Sequence, residues 1–197
     1  MTTAKKYAFV TYLVGEDFKK VRAMQKDISA MSGAQKCLVD WQPHITIGQS
    51  VFVSDQELPV IQEALKNLCD KQKTITARIN GFGKIDNWSH AAVAEGKATP
   101  YIVYLDVEVR EDLMAIYNSV NSEIVSKFET ASFRIGTYEP HVTLSFVDLP
   151  EDGYRKAVEY LESKDLDMDF SISHIALVEC YGEIGMDSAI CGVFNFN

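Results

Sequence analysis

The sequence predicts an α+β fold with two pseudo-symmetric lobes, each an antiparallel sheet covered by helices, and a cleft between the lobes. The peptide PHITIG at residues 43–48 returns as PHVTLS at residues 140–145, and the two histidines lie 97 residues apart. Strand-like and helix-like patterns follow one another in the same order around each copy. Acidic pairs at residues 16–17 and 111–112 match at the starts of corresponding helices, where negative charge suits the helix dipole.

The first half of the chain, about residues 7–97, is predicted to form strands alternating with two helices. The predicted strands cover residues 7–13, 41–50, 74–81 and, as a further candidate, 90–95. The first helix is indicated by apolar side chains at helical spacing, at Phe18, Val21, Met24, Ile28 and Met31. The second helix is predicted over residues 58–71, where Pro59 suits a first helical turn.

The second half, about residues 101–197, repeats this order. The predicted strands cover residues 101–109, 140–147, 170–180 and 189–196. A helix is indicated by Leu113, Ile116, Tyr117, Val120, Ile124 and Phe128, and a shorter one after Pro150 by Tyr154, Ala157, Val158 and Leu161. Residues 96–100 are the best candidate joint, and they are too short for a flexible linker. We therefore expect residues 1–197 to form a single domain with an internal repeat.

The composition is that of an ordinary globular protein with an acidic surface. Of the 197 residues, 47% are hydrophobic and 24% are charged, which is enough apolar material for a sizeable core. The formal net charge of -9 opposes sequence-independent binding of long DNA or RNA. A small nucleotide, or one end of an oligonucleotide, remains compatible with this charge because it needs only a local pocket.

Neither a membrane partner nor a signal peptide is expected. The apolar run at residues 7–14 is too short to span a bilayer and lacks a small-residue cleavage pattern. The four cysteines show no CxxC spacing, so we interpret them as buried thiols in a reducing cytoplasm. A bridge between Cys180 and Cys191 is conceivable, because these residues fall in neighbouring predicted strands. We expect a cytoplasmic monomer.

The repeated peptide carries the residues suited to phosphate chemistry. Side chains alternate along a strand, so His44 and Thr46 share one face, and His141 and Thr143 do the same. Two such strands side by side would present two imidazoles and two hydroxyls to one cleft. Imidazole titrates near neutral pH and can therefore move protons, while hydroxyls can donate hydrogen bonds to phosphate oxygens.

The two peptides resemble the His-x-Thr/Ser signatures of the 2H phosphoesterases. That superfamily includes proteins named for 2'-5' RNA ligase activity, cyclic phosphodiesterases, 2'-5' oligoadenylate phosphodiesterases, and phage enzymes that destroy cyclic-oligonucleotide signals. The resemblance covers most of the chain as architecture, but only about a dozen residues as sequence. It implies that the catalytic residues are His44, Thr46, His141 and Thr143. One histidine would act as general base and the other as general acid, with the two roles unassigned.

No metal or other cofactor is expected. The resembled family works without a metal, and the chain contains no His-x-His or His-Glu-x-x-His spacing. His90 and His174 are isolated and are interpreted as structural residues. Lys84 and Arg134 are candidates for a positive charge near the phosphate, although each is also explained as a solvated surface charge.

Aromatic side chains near the motifs are candidates for stacking on a nucleobase. Trp41 and Tyr138 each lie three residues before a motif histidine, and Tyr12 lies on the first opening strand. We predict that these three residues bind substrate. In a regular strand an odd offset would point Trp41 and Tyr138 away from the cleft, so their direction stays open. Tyr104 and Trp88 are further candidates.

The predicted function is a metal-independent phosphodiesterase that cleaves 2'-5'-linked or cyclic (oligo)nucleotides of small size by His/His acid–base catalysis. RNA 2',3'-cyclic phosphodiesterase or 2'-5' ligase-like activity is an alternative on the same site. An inert nucleotide- or protein-binding module on the same fold is an alternative from a different class. Hydrolysis that depends on a metal is a third.

Overall fold

The computed structural model describes residues 4–131, 138–182 and 187–197. The strands in these ranges are β1 (Lys5–Tyr12), β2 (His44–Val53), β3 (Ile75–Ile85), β4 (Ile102–Val107), β5 (Glu129–Thr130), β6 (His141–Ser145), β7 (Met168–Ile172), β8 (His174–Tyr181) and β9 (Asp187–Asn195). The helices are α1 (Gly15–Ser32), α2 (Lys36–Asp40), α3 (Leu58–Cys69), α4 (Ala91–Ala94), α5 (Glu111–Glu123) and α6 (Glu151–Glu162). A 3-10 turn, Val125–Lys127, follows α5.

Two antiparallel sheets form the α+β architecture that the sequence predicts. The first sheet has the strand order β5-β2-β1-β8-β9, and the second has the order β6-β4-β3-β7. The two motif strands, β2 and β6, lie in different sheets and approach each other. Helices cover the sheets, and one cluster of buried apolar side chains runs through both lobes. The fold thus brings the two copies of the motif to one junction between lobes.

The two sheets exchange strands between the halves of the chain. β3 comes from the first half but pairs with β4 and β7 in the second sheet. β8 and β9 come from the second half but complete the first sheet beside β1. Neither half carries a whole sheet of its own, which favours the proposal that residues 1–197 are one domain with an internal repeat.

The helices that follow the opening strands also cross between the lobes. α1 follows β1 but packs against β6, and α5 follows β4 but packs against β2. A small residue ends each motif, Gly48 on β2 and the buried Ser145 on β6. A Cβ atom on Gly48 would lie 2.5 Å from Cγ1 of Val120, on α5, and 3.2 Å from the ring of Phe9. The small sixth residue of the first motif therefore lets α5 approach the strand that carries His44.

Replacing Gly48 with alanine should destabilise the protein because Val120 is fully buried and cannot move away freely. Overpacking of this kind costs about 1–3 kcal/mol of unfolding free energy. Urea denaturation would measure the loss, with Gln56→Ala in an exposed turn as the control. Equal stability of Gly48→Ala and the wild type would contradict the close approach.

Two of the predicted strands are wrong. Residues 90–95 contain the short helix α4, because the ring Nδ1 of His90 accepts a hydrogen bond from the Ala92 N–H at 3.1 Å and caps a helical turn. Residues 170–180 do not form a single strand but divide at Ser173 into β7 and β8, which belong to different sheets. An alternating pattern of apolar and polar residues predicts a strand, but it does not predict which sheet that strand joins.

All four cysteines are free thiols; Cys37 and Cys69 are buried as predicted, whereas Cys180 and Cys191 are only partly buried. β8 and β9 are neighbours, but Cys180 lies opposite Ser188 rather than opposite Cys191. The register of this hairpin therefore explains why the conceivable bridge is not made. Within the three described ranges, no helix has both the length and the apolar character needed to cross a bilayer.

Candidate active site

Both motif histidines stand at the first residue of their strands, and matching hydrogen bonds fix their rings. Nδ1 of His44 lies 2.7 Å from the carbonyl oxygen of Gln42, and Nδ1 of His141 lies 2.9 Å from that of Glu139. A carbonyl oxygen can only accept, so each Nδ1 carries a hydrogen. In both rings Nε2 is then the nitrogen that takes up or releases a further proton.

The main chain at both motif threonines is anchored from outside the motif. The hydroxyl of Tyr138 donates a hydrogen bond to the carbonyl oxygen of Thr46 at 2.8 Å. Nε2 of the buried Gln25, on α1, donates to the carbonyl oxygen of Thr143 at 3.0 Å. These two bonds hold the strands that aim the threonine side chains.

The structure brings His44, Thr46, His141 and Thr143 together in the wall of one cavity of about 480 Å³. The other described residues of the wall are Trp41, Ile85, Trp88, Ile102, Tyr104, Asp106, Glu139, Pro140 and Phe146. This volume lies within the range of small-molecule sites. Among the described residues of the wall there is no lysine or arginine, so the imidazoles are the groups there that can carry positive charge.

Dense packing around His44 disfavours its charged form. The ring of Trp41 stacks on His44 with centroids 4.8 Å apart, and the ring of Tyr12 meets it edge-on at 6.0 Å. Burial lowers the pKa of His44 to about 4; the hydrogen bond to the Gln42 carbonyl opposes this shift, and the positive charge of His141 adds to it. His44 is therefore neutral at physiological pH.

Arg22, on α1, holds the segment that carries Trp41. Its guanidinium group donates hydrogen bonds to the carbonyl oxygens of Cys37, Leu38 and Trp41 at 3.1, 3.0 and 3.2 Å. Burial lowers the pKa of Arg22 relative to that of a free guanidinium. These hydrogen bonds from α1 hold the backbone around Trp41 and so help to position its indole over His44.

The residue directly across the strand pair is charged for His141 and neutral for His44. Across β4 and β6, His141 lies opposite Asp106, whereas His44 lies opposite Tyr12 across β1 and β2. Burial raises the pKa of the Asp106 carboxyl group, and the positive charge of His141 acts against that shift. The ring of Tyr104 tilts against His141 at 5.0 Å. An anion therefore stands beside one imidazole and a neutral phenol beside the other.

The three aromatic residues predicted to bind substrate occupy different positions. Trp41 lines the cavity and also covers His44. Tyr12 lines a much smaller pocket of about 20 Å³, which His44 also lines. Tyr138 is not among the wall residues of the main cavity; its ring stacks on Tyr117 at 3.8 Å. Substrate binding by these three residues stays a prediction, and for Tyr138 the structure shows an anchoring contact to the first motif strand.

Several wall residues were not predicted from the sequence. The position of Asp106 could have been predicted, because it is a charged residue in a largely apolar strand and lies on the same face of that strand as Tyr104. The positions of Ile85, Ile102 and Phe146 could not, because an apolar side chain on a strand is compatible with a core or a cavity position.

Two of the isolated candidates, His174 and Lys84, lie outside the cavity wall. His174 is buried, and its Nε2 accepts a hydrogen bond from the Tyr12 N–H at 3.3 Å, as expected for a structural residue. Lys84 is exposed and pairs with Glu162 at 3.7 Å. Arg134 lies outside the described residues. In the portion of the chain that is described, no group of three or more histidine, cysteine or acidic residues is arranged to hold a metal ion.

Comparison with solved structures finds the same fold in other proteins. TT0787 of Thermus thermophilus is 14% identical, with a TM-score of 0.66 and 97% of each chain covered. E. coli LigT complexed with 3'-AMP is 12% identical, with a TM-score of 0.59, and the match covers 98% of this chain and 99% of LigT. Usb1 of Kluyveromyces marxianus is 12% identical, with a TM-score of 0.50, covering 96% and 98%. At these identities the likeness shows the fold.

Because these identities are low, the evidence for homology comes from a family model. No curated protein sequence matches the chain. The model of the 2'-5' RNA ligase superfamily, however, matches residues 38–183, which include both histidine motifs. This match spans well over half of the sequence. The chain therefore belongs to the 2'-5' RNA ligase superfamily, the 2H phosphoesterases.

Proposed function

We propose that this chain is a metal-independent phosphodiesterase that cleaves 2'-5'-linked or cyclic (oligo)nucleotides of small size, with His44 as general base and His141 as general acid. One observation carries the proposal. Two imidazoles, each with Nδ1 bound to a carbonyl oxygen, line a single cavity together with two threonines. This is the set of groups that proton transfer on both sides of one phosphate requires.

The different neighbours of the two histidines support this assignment of base and acid. Burial keeps His44 neutral, so its Nε2 has a lone pair that can accept a proton. The carboxylate of Asp106, opposite His141, favours the protonated imidazole. A neutral imidazole that can accept a proton, and a second imidazole beside a carboxylate, are the pair of groups that general acid–base catalysis uses.

On a 2'-5' linkage, His44 would remove the proton of the neighbouring 3'-hydroxyl as that oxygen attacks phosphorus. The bond from phosphorus to the 5'-oxygen then breaks, and Nε2 of His141 gives its proton to the leaving oxygen. The products are a 2',3'-cyclic phosphate and a 5'-hydroxyl. On a cyclic phosphate, water takes the place of the attacking hydroxyl and the ring opens. In both reactions Thr46 and Thr143 would donate hydrogen bonds to the non-bridging oxygens.

The preference for small substrates rests on charge. The formal net charge is -9, and the described wall of the cavity holds two carboxylates, Asp106 and Glu139, with no lysine or arginine. A long polyanion would meet repulsion outside the site and little compensation within it. E. coli LigT, which shares the fold, has been crystallised with phosphate, with 3'-AMP and with ATP. Ligands of that size are the class we propose here.

A panel of substrates tests the proposal directly. The protein would be incubated in EDTA with 2'-5' oligoadenylate, cyclic dinucleotides and a 2',3'-cyclic nucleotide, followed by product analysis. We expect turnover of at least one substrate, at a rate that the chelator does not change. Tight binding without turnover would instead indicate a binding module, and activity abolished by EDTA would indicate a metal-dependent hydrolase. Either outcome would overturn the proposal.

The pH dependence of catalysis should show the low pKa of His44. A base with a pKa near 4 keeps its lone pair as the pH falls to about 5, so the acid limb of kcat/KM should have its midpoint near pH 4. At pH 5.5, the neutral fraction of such a residue is about ten-fold larger than that of a histidine with the ordinary pKa near 6.5. Measuring kcat/KM from about pH 3.5 to 9 would locate the limb.

Trp41→Leu provides the matched variant for this experiment. Removal of the stacked indole lets water reach His44, so the acid limb should move upwards towards pH 6.5. If the acid limb of the wild type already lay near pH 6.5, the result would contradict the conclusion that burial lowers the pKa of His44.

A further inference from the structure

The cavity is chemically different at its two ends. Along β4, Ile102, Tyr104 and Asp106 all line it, and Asp106 lies opposite His141. A strand rises about 3.3 Å per residue, so Ile102 lies about 13 Å from Asp106. At the Asp106 end stands Glu139. The Ile102 end, which we call the aromatic end, is formed by Ile85, Trp88, Ile102 and Phe146, with Trp41 joining it to His44.

The rings of the aromatic end are fixed before any ligand arrives. Phe146 meets Trp41 edge-on at 5.6 Å and Trp88 at 6.3 Å, with interplanar angles of 89° and 61°. The ring of Trp88 is stacked on His90 at 4.5 Å, and its backbone N–H donates to the carbonyl oxygen of Pro100 at 2.9 Å. An aromatic ring has two faces, and His90 occupies one of those of Trp88. The loop after β3 is thus built to hold an indole at the cavity wall.

We infer that the aromatic end is a nucleobase subsite in which Trp88 stacks on the base of the nucleoside attached to the scissile phosphate. This inference rests on the proposed function and extends it from the phosphate to the base. A flat, apolar, π-rich surface matches a nucleobase, and base–aromatic stacking tolerates any base. The subsite lies next to His44, because the ring of Trp41 contacts both His44 and Phe146. A base bound there is contiguous with a phosphate between the histidines.

The chain contains two tryptophans, Trp41 and Trp88, which makes intrinsic fluorescence a direct probe. The probes are adenosine 3'-monophosphate, which has a base, and ribose 5-phosphate, which has none. In Trp41→Phe, where Trp88 is the remaining indole, we expect the adenosine nucleotide to quench emission and ribose phosphate to leave it unchanged. In the wild type the nucleotide should bind at least about ten-fold more tightly than ribose phosphate.

Substitution of Trp88 separates stacking from a structural role. Trp88→Leu keeps an apolar side chain but no π face, and it should lose about ten-fold or more affinity for adenosine 3'-monophosphate with unchanged affinity for ribose phosphate. Trp88→Ala should behave in the same way, and the leucine variant keeps the test valid if the alanine variant does not fold. The control is Phe52→Ala, an exposed aromatic residue at the other end of β2, which should affect neither ligand.

Equal affinity for the two probes, or an equal loss for both in Trp88→Leu, would overturn the subsite. These readouts need no turnover. Base-dependent binding through Trp88 without any cleavage would refute the proposed catalysis and keep the subsite. Cleavage that is unaffected in Trp88→Leu would refute the subsite and keep the catalysis.

Discussion

Replacing His44 or His141 with alanine is expected to lower kcat about 100- to 10,000-fold, because each imidazole supplies one of the two proton transfers. The effect should fall on kcat rather than on KM, since the ground-state substrate keeps its hydrogen bonds to the threonines. In His44→Ala the acid limb near pH 4 should also disappear, because the group that titrates there is gone. Steady-state kinetics on the best substrate of the panel, at several pH values, measures both effects.

Lys84→Ala is the matched control for the histidine variants. Lys84 is exposed, pairs with Glu162 at the surface and lies outside the cavity wall, so its loss should leave kcat unchanged. Far-UV circular dichroism and urea unfolding would confirm that the histidine variants are folded. If a folded His44→Ala or His141→Ala protein retained more than about a tenth of wild-type kcat, that histidine would not be a catalytic residue.

Removal of the threonine hydroxyls should produce the second largest decrease in kcat. Thr143→Val or Thr46→Val keeps the shape of the side chain but takes away a hydrogen-bond donor to the developing phosphorane, and loss of one such donor costs about 100- to 1,000-fold in kcat. The cost should lie at the upper end of this range. In the described cavity wall, no lysine or arginine is present to take over the charge.

The serine variants discriminate between a hydroxyl contact and simple strand propensity. Thr46→Ser and Thr143→Ser keep the hydroxyl and should retain most of the activity, whereas the valine variants, which suit a strand better, should not. Equal activity of the serine and valine variants would show that the threonines serve only the strand. Single-turnover kinetics would assign the loss to the chemical step.

The sequence predicted the parts of the site that depend on local geometry. Alternation in a strand puts each motif histidine and its threonine on the same face, and the structure places all four residues in one cavity wall. The same local rule failed for residues 170–180, which divide at Ser173 between two sheets. A strand pattern is a property of neighbouring residues, whereas the sheet that a strand joins is decided by distant ones.

The neighbours of the two imidazoles show the limit of the sequence most clearly. Asp106 stands opposite His141, and Tyr12 opposite His44, through strand registers that no sequence interval encodes. That difference is the basis for assigning base and acid, which the symmetric motifs left open. The direction of Trp41 was likewise open, and only packing shows that its ring stacks on His44, whose pKa is lowered by burial.

The amino-acid sequence by itself determined the repeated motif, the strand and helix character of most segments, and the four side chains suited to phosphate chemistry. Only the tertiary structure decided how β3, β8 and β9 are exchanged between the sheets, which carboxylate lies beside which histidine, and where the aromatic end of the cavity forms. The physical reason is that alternation and helical spacing arise within a few residues. Desolvation, charge pairing and cavity shape arise instead from contacts between segments that are far apart in the chain.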